Sequence, residues 1–308
     1  MKHDFSLIGG LFQKKYQAED LNVVKSHILE FVTESMVGSY TEKGNALAHW
    51  SSNCGNDAGR HAFVTCLKSF LNGGKSRYSI SYCSIGLPVI SSALSVAVKF
   101  NKSGLELIRS ILIGYEVMFC ISRFFDGSKR NYIAKDYYVS CIGSFLSAAY
   151  LFNINEQDVE LLTNKLLAFD SNANGVKFDN DLLACEIAKS AETGIVYAEL
   201  LKNSFFDTCS SLINDEYSLS NNFYIELDVM LKKDWKIHEF KILSDEALEE
   251  SVESSACTEQ SQVEDVLFFA KNRLSSIGMD DDESHDIVNS LLNLDKESSV
   301  PDYLNWYY

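Results

Sequence analysis

The chain has 308 residues, 46 % of them hydrophobic, which is enough to bury a core in one large domain or two modest ones. Its formal net charge of −16 repels phosphate backbones and anionic lipid surfaces, so it weighs against nucleic-acid and membrane partners. Only 2 prolines interrupt it, and long stretches are therefore free to be helical.

The 8 cysteines include no Cys-x-x-Cys pair and are spread through apolar stretches. That usage fits reduced, buried thiols in a cytoplasmic protein better than a disulfide framework. The opening residues Met1-Lys2-His3-Asp4-Phe5 start no long apolar run, and no signal peptide is expected. The most apolar window, 105–122, holds Glu106, Arg109 and Glu116. It reads as a buried helix and not a membrane span.

In chain order, Leu21, Val24, Ile28, Phe31 and Val32 recur at helical spacing over 19–37, with Gly38 as the expected stop. Phe63, Cys66, Leu67 and Phe70 repeat the pattern over 57–71, ended by Gly73-Gly74. Pro88 fits the first turn of a helix that runs to about Phe100. Ser103 and Glu106 make a capping box for a helix through about Phe124. Asn155 caps a helix to Phe169, and another spans Asp181 to Leu201.

The periodicity then switches. Phe223, Ile225, Leu227, Val229 and Leu231 alternate with Tyr224, Glu226, Asp228 and Met230, the period of a strand with one buried face. After the polar turn Lys232-Lys233-Asp234, residues 235–242 return as a second strand. From Ser244 the chain reads as helical again. Between Ser244 and Ser299 there are 15 Asp or Glu against 3 Lys or Arg, so this segment carries −12 of the net charge. A solvated helical face accounts for it.

Three metal or phosphate patterns fail on geometry. Asp280-Asp281-Asp282-Glu283 opens like a calcium loop, but His285 stands where glycine must turn and Leu291 where a bidentate Glu must close. His61 and Cys66, five residues apart on a helix, point about 140° away from each other, which is poor zinc spacing with His49 and Cys54. Gly9-Gly10 and Gly73-Gly74 lack the rest of a phosphate loop. No metal and no cofactor is expected.

Several segments, in order, resemble the MmgE/PrpD family, whose members include 2-methylcitrate dehydratase, cis-aconitate decarboxylase and iminodisuccinate epimerase. Leu87-Pro88-Val89-Ile90-Ser91-Ser92-Ala93-Leu94 is similar to the family's Pro-Val helix. Ser103-Gly104 resembles its cap, and Ile113-Gly114-Tyr115-Glu116-Val117 its Gly-Tyr-Glu-Val helix. Asn72-Gly73, the small-residue run from Gly143 to Gln157, Leu243-Ser244-Asp245-Glu246 and the closing pair Val263 to Leu294 follow the same order. The resemblance implies a mainly α fold. Residues 1–214 and 244–308 would form one discontinuous helical domain, and 215–243 a β-hairpin remnant of the α+β lid. It also implies a homodimer, for which the apolar helices 87–100 and 105–124 offer greasy surface.

The family's catalytic positions are rewritten. Its acidic run falls on Ile80, Tyr82 and Cys83, its His-Pro pair on Ser84-Ile85, and its second histidine on Ala134. Its Lys-Pro-Leu-His motif is reduced to Lys177. These side chains would supply proton transfer and carboxylate binding. Candidates for a rebuilt site are Lys135, Tyr137, Lys177 and Tyr82 as catalytic groups, with Tyr78, Cys83, Tyr138 and the hairpin's His238 contacting substrate. Lysines can bind a carboxylate and tyrosines can move a proton. Two expectations stay open: a lyase or isomerase acting on a small, carboxylic substrate, as in a tailoring step of a specialised biosynthetic pathway, or a catalytically inactive homologue serving as dimer partner, scaffold or small-molecule binder. Dehydration of 2-methylcitrate and decarboxylation of cis-aconitate are not expected.

Overall fold

A computed structural model describes residues 7–52, 57–71, 86–126, 132–168, 180–206, 259–300 and 304. The described chain is mainly α-helical, and no strand occurs among these residues. The expected hairpin over 223–242, and with it the 215–243 lid, lies outside the described residues. No described helix is long and apolar enough to cross a membrane.

The helices are α1 (Leu7–Phe12), α2 (Ala18–Ser39), α3 (Glu42–Ser51), α4 (Ala58–Leu71), α5 (Gly86–Lys99), α6 (Gly104–Asp126), α7 (Tyr132–Leu151), α8 (Glu156–Ala168), α9 (Asn180–Lys202), α10 (Glu259–Ser276) and α11 (Asp281–Leu292), followed by a 3-10 turn at Leu294–Lys296. Helix α5 is the axis. It is buried from Gly86 to Val98 and packs against α4, α6, α7 and α9. A helix apolar all round can only be stable inside. Its Ser91 and Ser92 lie in that core because their hydroxyls donate to the Pro88 and Val89 carbonyls at 3.1 and 3.0 Å. The greasy surface of α5 and much of α6 is thus consumed within one chain. It supplies no separate argument for a dimer.

The predicted capping devices form. Ser103 N–H donates to Glu106 Oε2 at 2.9 Å, and Glu106 N–H to Ser103 Oγ at 3.2 Å, the two arms of the box at the start of α6. Asn155 Oδ1 accepts from Gln157 N–H at 2.8 Å before α8. The acidic run at 280–283 is a helix start: Asp280 Oδ1 accepts from Glu283 N–H at 2.8 Å, and three acids occupy the first turn of α11.

Gly38 is a correction. It does not stop α2, which runs on to Ser39. It is buried where α2 crosses α4, and a β-carbon there would collide with the Lys68 carbonyl oxygen. Helices α1 and α3 are absent from the sequence reading; both are short, and α3 buries only Gly44. A helix so exposed carries no apolar stripe to detect.

The C-terminal part closes on the rest of the chain. Helices α10 and α11 pack on α2. Lys25 Nζ lies 2.8 Å from Asp295 Oδ1, and this hydrogen bond holds the Asp295 carboxyl below the usual range. Val300 N–H donates to the Lys102 carbonyl at 2.7 Å.

Candidate functional site

Helix direction decides which chain connections can meet. Phe100, just past α5, stacks edge-on with Phe152, just past α7, at 5.2 Å. Lys202, closing α9, lies 5.3 Å from the Phe100 ring and 4.9 Å from the Phe152 ring. Helices α5, α7 and α9 therefore end together and run the same way. Helix α4 runs against them, since Arg60 near its start meets Glu192 in the second half of α9 at 3.5 Å. Short connections of 100–103 and 127–131 make α6 antiparallel to α5 and α7. Helix α8 returns alongside α7, because Tyr138 donates to the Leu166 carbonyl.

Six described helix ends consequently lie at one end of the bundle: the last residues of α4, α6 and α8 and the first of α5, α7 and α9. They are the anchors of the connections 72–85, 127–131 and 169–179. Tyr78, Tyr82 and Cys83 belong to the first of these, and Lys177 to the third. All four, and His238, lie outside the described residues. Lys135 falls in the opening turn of α7.

Tyr137 and Tyr138 are described, and their hydroxyls go different ways. Consecutive helical residues are turned about 100° apart. The Tyr137 hydroxyl lies 3.1 Å from Thr193 Oγ1 of α9. Burial raises the Tyr137 phenol above its ordinary value of 10, opposed by the Thr193 hydrogen bond and reinforced by Cys141, Tyr197 and Glu186. It stays protonated near neutral pH, so it can donate a proton or hydrogen bond and is a poor base. The Tyr138 hydroxyl is engaged in tying α8 to α7.

A second group at the same end escaped the sequence reading. Glu34 of α2 is 1 % exposed. Its Oε2 accepts from the Ser69 hydroxyl of α4 at 3.0 Å, and its Oε1 lies 3.2 Å from Arg273 of α10. Burial pushes the Glu34 carboxyl up to about 8, and Glu30 pushes the same way; Arg273 and Ser69 oppose them. Glu30 is raised by burial as well. Ser69 stands three residues before the 72–85 connection begins. The available signal was two glutamates four apart on the helix face that also carries Phe31, with no cation four residues away to pair them.

Glu116, the acid of the Gly-Tyr-Glu segment, is paired with Lys14 at 2.7 Å. His27 faces the Tyr115 ring at 5.8 Å, and burial lowers it to about 4, so it is neutral at physiological pH. Among the described residues no three His, Cys, Asp or Glu side chains come together as metal ligands. The end of the bundle thus offers neutral hydroxyl and carboxyl groups, which suit proton donation and hydrogen bonding to an oxyanion. No family model matches the chain, and no curated protein matches it.

Proposed function

We propose that the chain is a divergent MmgE/PrpD-like protein that acts as a lyase or isomerase on a small carboxylic substrate at the α4–α9 end of its helical bundle. The observation that carries this reading is a convergence of three of the segments that resemble the family. Val89 of the Pro-Val helix, Gly114 of the Gly-Tyr-Glu-Val helix and Gly143 of the small-residue helix meet at one three-helix junction. Similar motifs in similar order are thereby supported by a shared packing role. The gathering of helix ends around the connections that carry Tyr82 and Lys177, beside Lys135 and Tyr137, supports the choice of end.

The chemistry asked of such a site is removal or return of a proton next to a carboxylate. Lysine ammonium groups would hold the carboxylate, and a protonated tyrosine would donate to the developing enolate. With Ile80, Cys83, Ser84 and Ala134 at the family's acidic and histidine positions, the classical substrates are not the expected ones. The same losses favour the second reading, an inactive homologue that binds a small molecule or a partner subunit. A homodimer fits both readings, and light scattering tests it.

The deciding experiment follows exchange of α-protons for deuterium by NMR, with the purified protein and a panel of hydroxy and unsaturated carboxylic acids. Exchange on one member, lost in the Lys135→Ala, Tyr137→Phe, Lys177→Ala triple variant, supports the enzyme. Exchange that survives the triple variant refutes the site. A panel without any exchange selects the inactive homologue.

A further inference from the structure

Helices α2, α4 and α10 meet where the charges do not balance. Glu30 and Glu34 are four residues apart and share one face of α2. Both feel Arg273 of α10. The guanidinium reaches Glu34 Oε1 at 3.2 Å, and the Ser69 hydroxyl of α4 donates to Oε2 at 3.0 Å. These are the groups that face Glu34: Glu30 from its own helix, Arg273 from α10 and Ser69 from α4. Lys25, also on α2, is committed to Asp295. Lys68 is a neighbour of Ser69 in sequence but stands about 100° round α4. If both carboxyls ionised, two negative charges would share one cation, with Glu34 buried, Glu30 half-buried and Arg273 partly exposed, and a buried charge without full compensation is unfavourable.

We propose that Glu30, Glu34 and Arg273 form a proton-loaded latch, in which one proton shared by the two carboxyls lets α10 dock on α2 and its loss at alkaline pH releases that helix. The upward push on both carboxyls agrees with the geometry. The rest of the grip is slight. Among the described side chains of α10 only Ala270 and Leu274 are fully buried, while Phe268 and Phe269 are 64 % and 55 % exposed. Val266 and Leu267 add partly buried apolar contact, so the described part of α10 is held by four apolar side chains and its charges. Lifting α10 admits water to both carboxylates and so relieves the unbalanced charge. Ser69 sits on α4 close to the candidate end, so the latch reports pH at that end of the bundle.

Hydrogen exchange followed by mass spectrometry on the full chain tests this, at about pH 6.5 and about pH 9, with rates corrected for intrinsic chemistry. Protection of α10 amides should fall roughly tenfold or more at the higher pH, while those of α5 hold. Glu34→Gln mimics the loaded state and should keep α10 protected at both pH values. Glu30→Gln leaves one carboxylate to one guanidinium and should do the same. Unchanged protection of α10 in the wild type overturns the latch, as does an equal fall in Glu34→Gln. Should either variant fail to fold, a carbon-13 titration of the wild-type Glu34 carboxyl decides: a midpoint above about 7 supports the shared proton, and one below it overturns the proposal.

Discussion

Val89 occupies the space that a side chain on Gly114 would need. Its Cγ1 lies 2.6 Å from where a β-carbon would stand, and the Gly143 carbonyl oxygen lies 2.9 Å from the same point. The three helices α5, α6 and α7 approach this closely because α6 and α7 both present glycine to Val89. Gly114→Ala should cost about 1–3 kcal/mol through overpacking. Adding Val89→Ala opens the space, so the double variant should be less destabilised than the sum of the singles. Urea unfolding of the four proteins measures it; strict additivity would remove Val89 as the obstacle.

The Lys14–Glu116 pair joins the segment after α1 to the buried middle of α6. Glu116 is 6 % exposed in its side chain and Lys14 23 %. Lys14→Met removes the cation and leaves the carboxylate in its buried site. A charged hydrogen bond is worth roughly 1.5–3 kcal/mol, and the partial exposure of Lys14 places the expected loss toward the lower figure. A thermal unfolding curve indistinguishable from wild type would show that the pair contributes nothing.

Acid should destabilise the protein through its histidines. His27 is lowered to about 4 by burial, and His61 to about 4 by burial together with Lys99 and Lys68, against the pull of Asp57. The unfolded chain takes up protons near 6.5, before the folded protein does. Stability is therefore lost as pH falls from 6.5 through 4, with a slope approaching ~1.4 kcal/mol per pH unit for His27. Glu34 acts with the opposite sign. Between 4.5 and about 8 the folded protein holds a proton the unfolded chain has released, so rising pH costs stability there. The difference between wild type and His27→Gln isolates the histidine limb. If that difference is flat between about pH 6.5 and 4, His27 is already charged in the fold.

How much of this was legible in the sequence depends on what each feature is made of. Helices α2, α4, α5, α6, α8 and α9 were readable because their apolar residues recur at 3.6-residue spacing and because Ser103, Asn155 and Pro88 mark their starts. Gly38 was misread as a stop since a glycine needed for close helix approach looks, in sequence, like one needed for a turn. Glu34 was invisible as a buried acid because its partners Ser69 and Arg273 are 35 and 239 residues away in the chain. The fates of Tyr137 and Tyr138 could not be separated either. Only the packing of α9 on one side of α7 and α8 on another sends one hydroxyl to Thr193 and the other to Leu166.

Three of the four described thiols should be chemically quiet in the folded state. Burial pushes Cys66 up to about 12, against a hydrogen bond with Ser91, and Cys141 up to about 12. Cys120 is fully buried too, whereas Cys185 is only partly so. The thiolate is the reactive form, so both burial and protonation protect Cys66 and Cys141, and burial protects Cys120. Peptide mapping after iodoacetamide at about pH 8 should find Cys185 labelled ahead of Cys66, Cys120 and Cys141, and all four labelled in urea. Early labelling of Cys66 would mean that the α4–α5 seam opens.

Tyr137 offers the sharpest link between packing and chemistry. Its hydroxyl is held at 3.1 Å by Thr193, and its phenol stays protonated, so the role open to it is that of donor. Tyr137→Phe keeps the ring in the α7–α9 seam and removes only the hydroxyl. The stability cost should be about 0.5–1.5 kcal/mol, the ordinary worth of one hydrogen bond. Loss of a general acid should instead lower α-proton exchange by ~10²–10⁴-fold. Thr193→Val leaves the hydroxyl in place without its anchor, and should cost less activity than Tyr137→Phe. Since a protonated donor is active until it ionises, Tyr137 itself should contribute no alkaline loss of rate before pH passes the ordinary phenol value of about 10. If Tyr137→Phe and Thr193→Val lose stability equally and exchange is unaltered in both, the hydroxyl pair is a structural staple and the proton donor must be sought elsewhere at that end of the bundle.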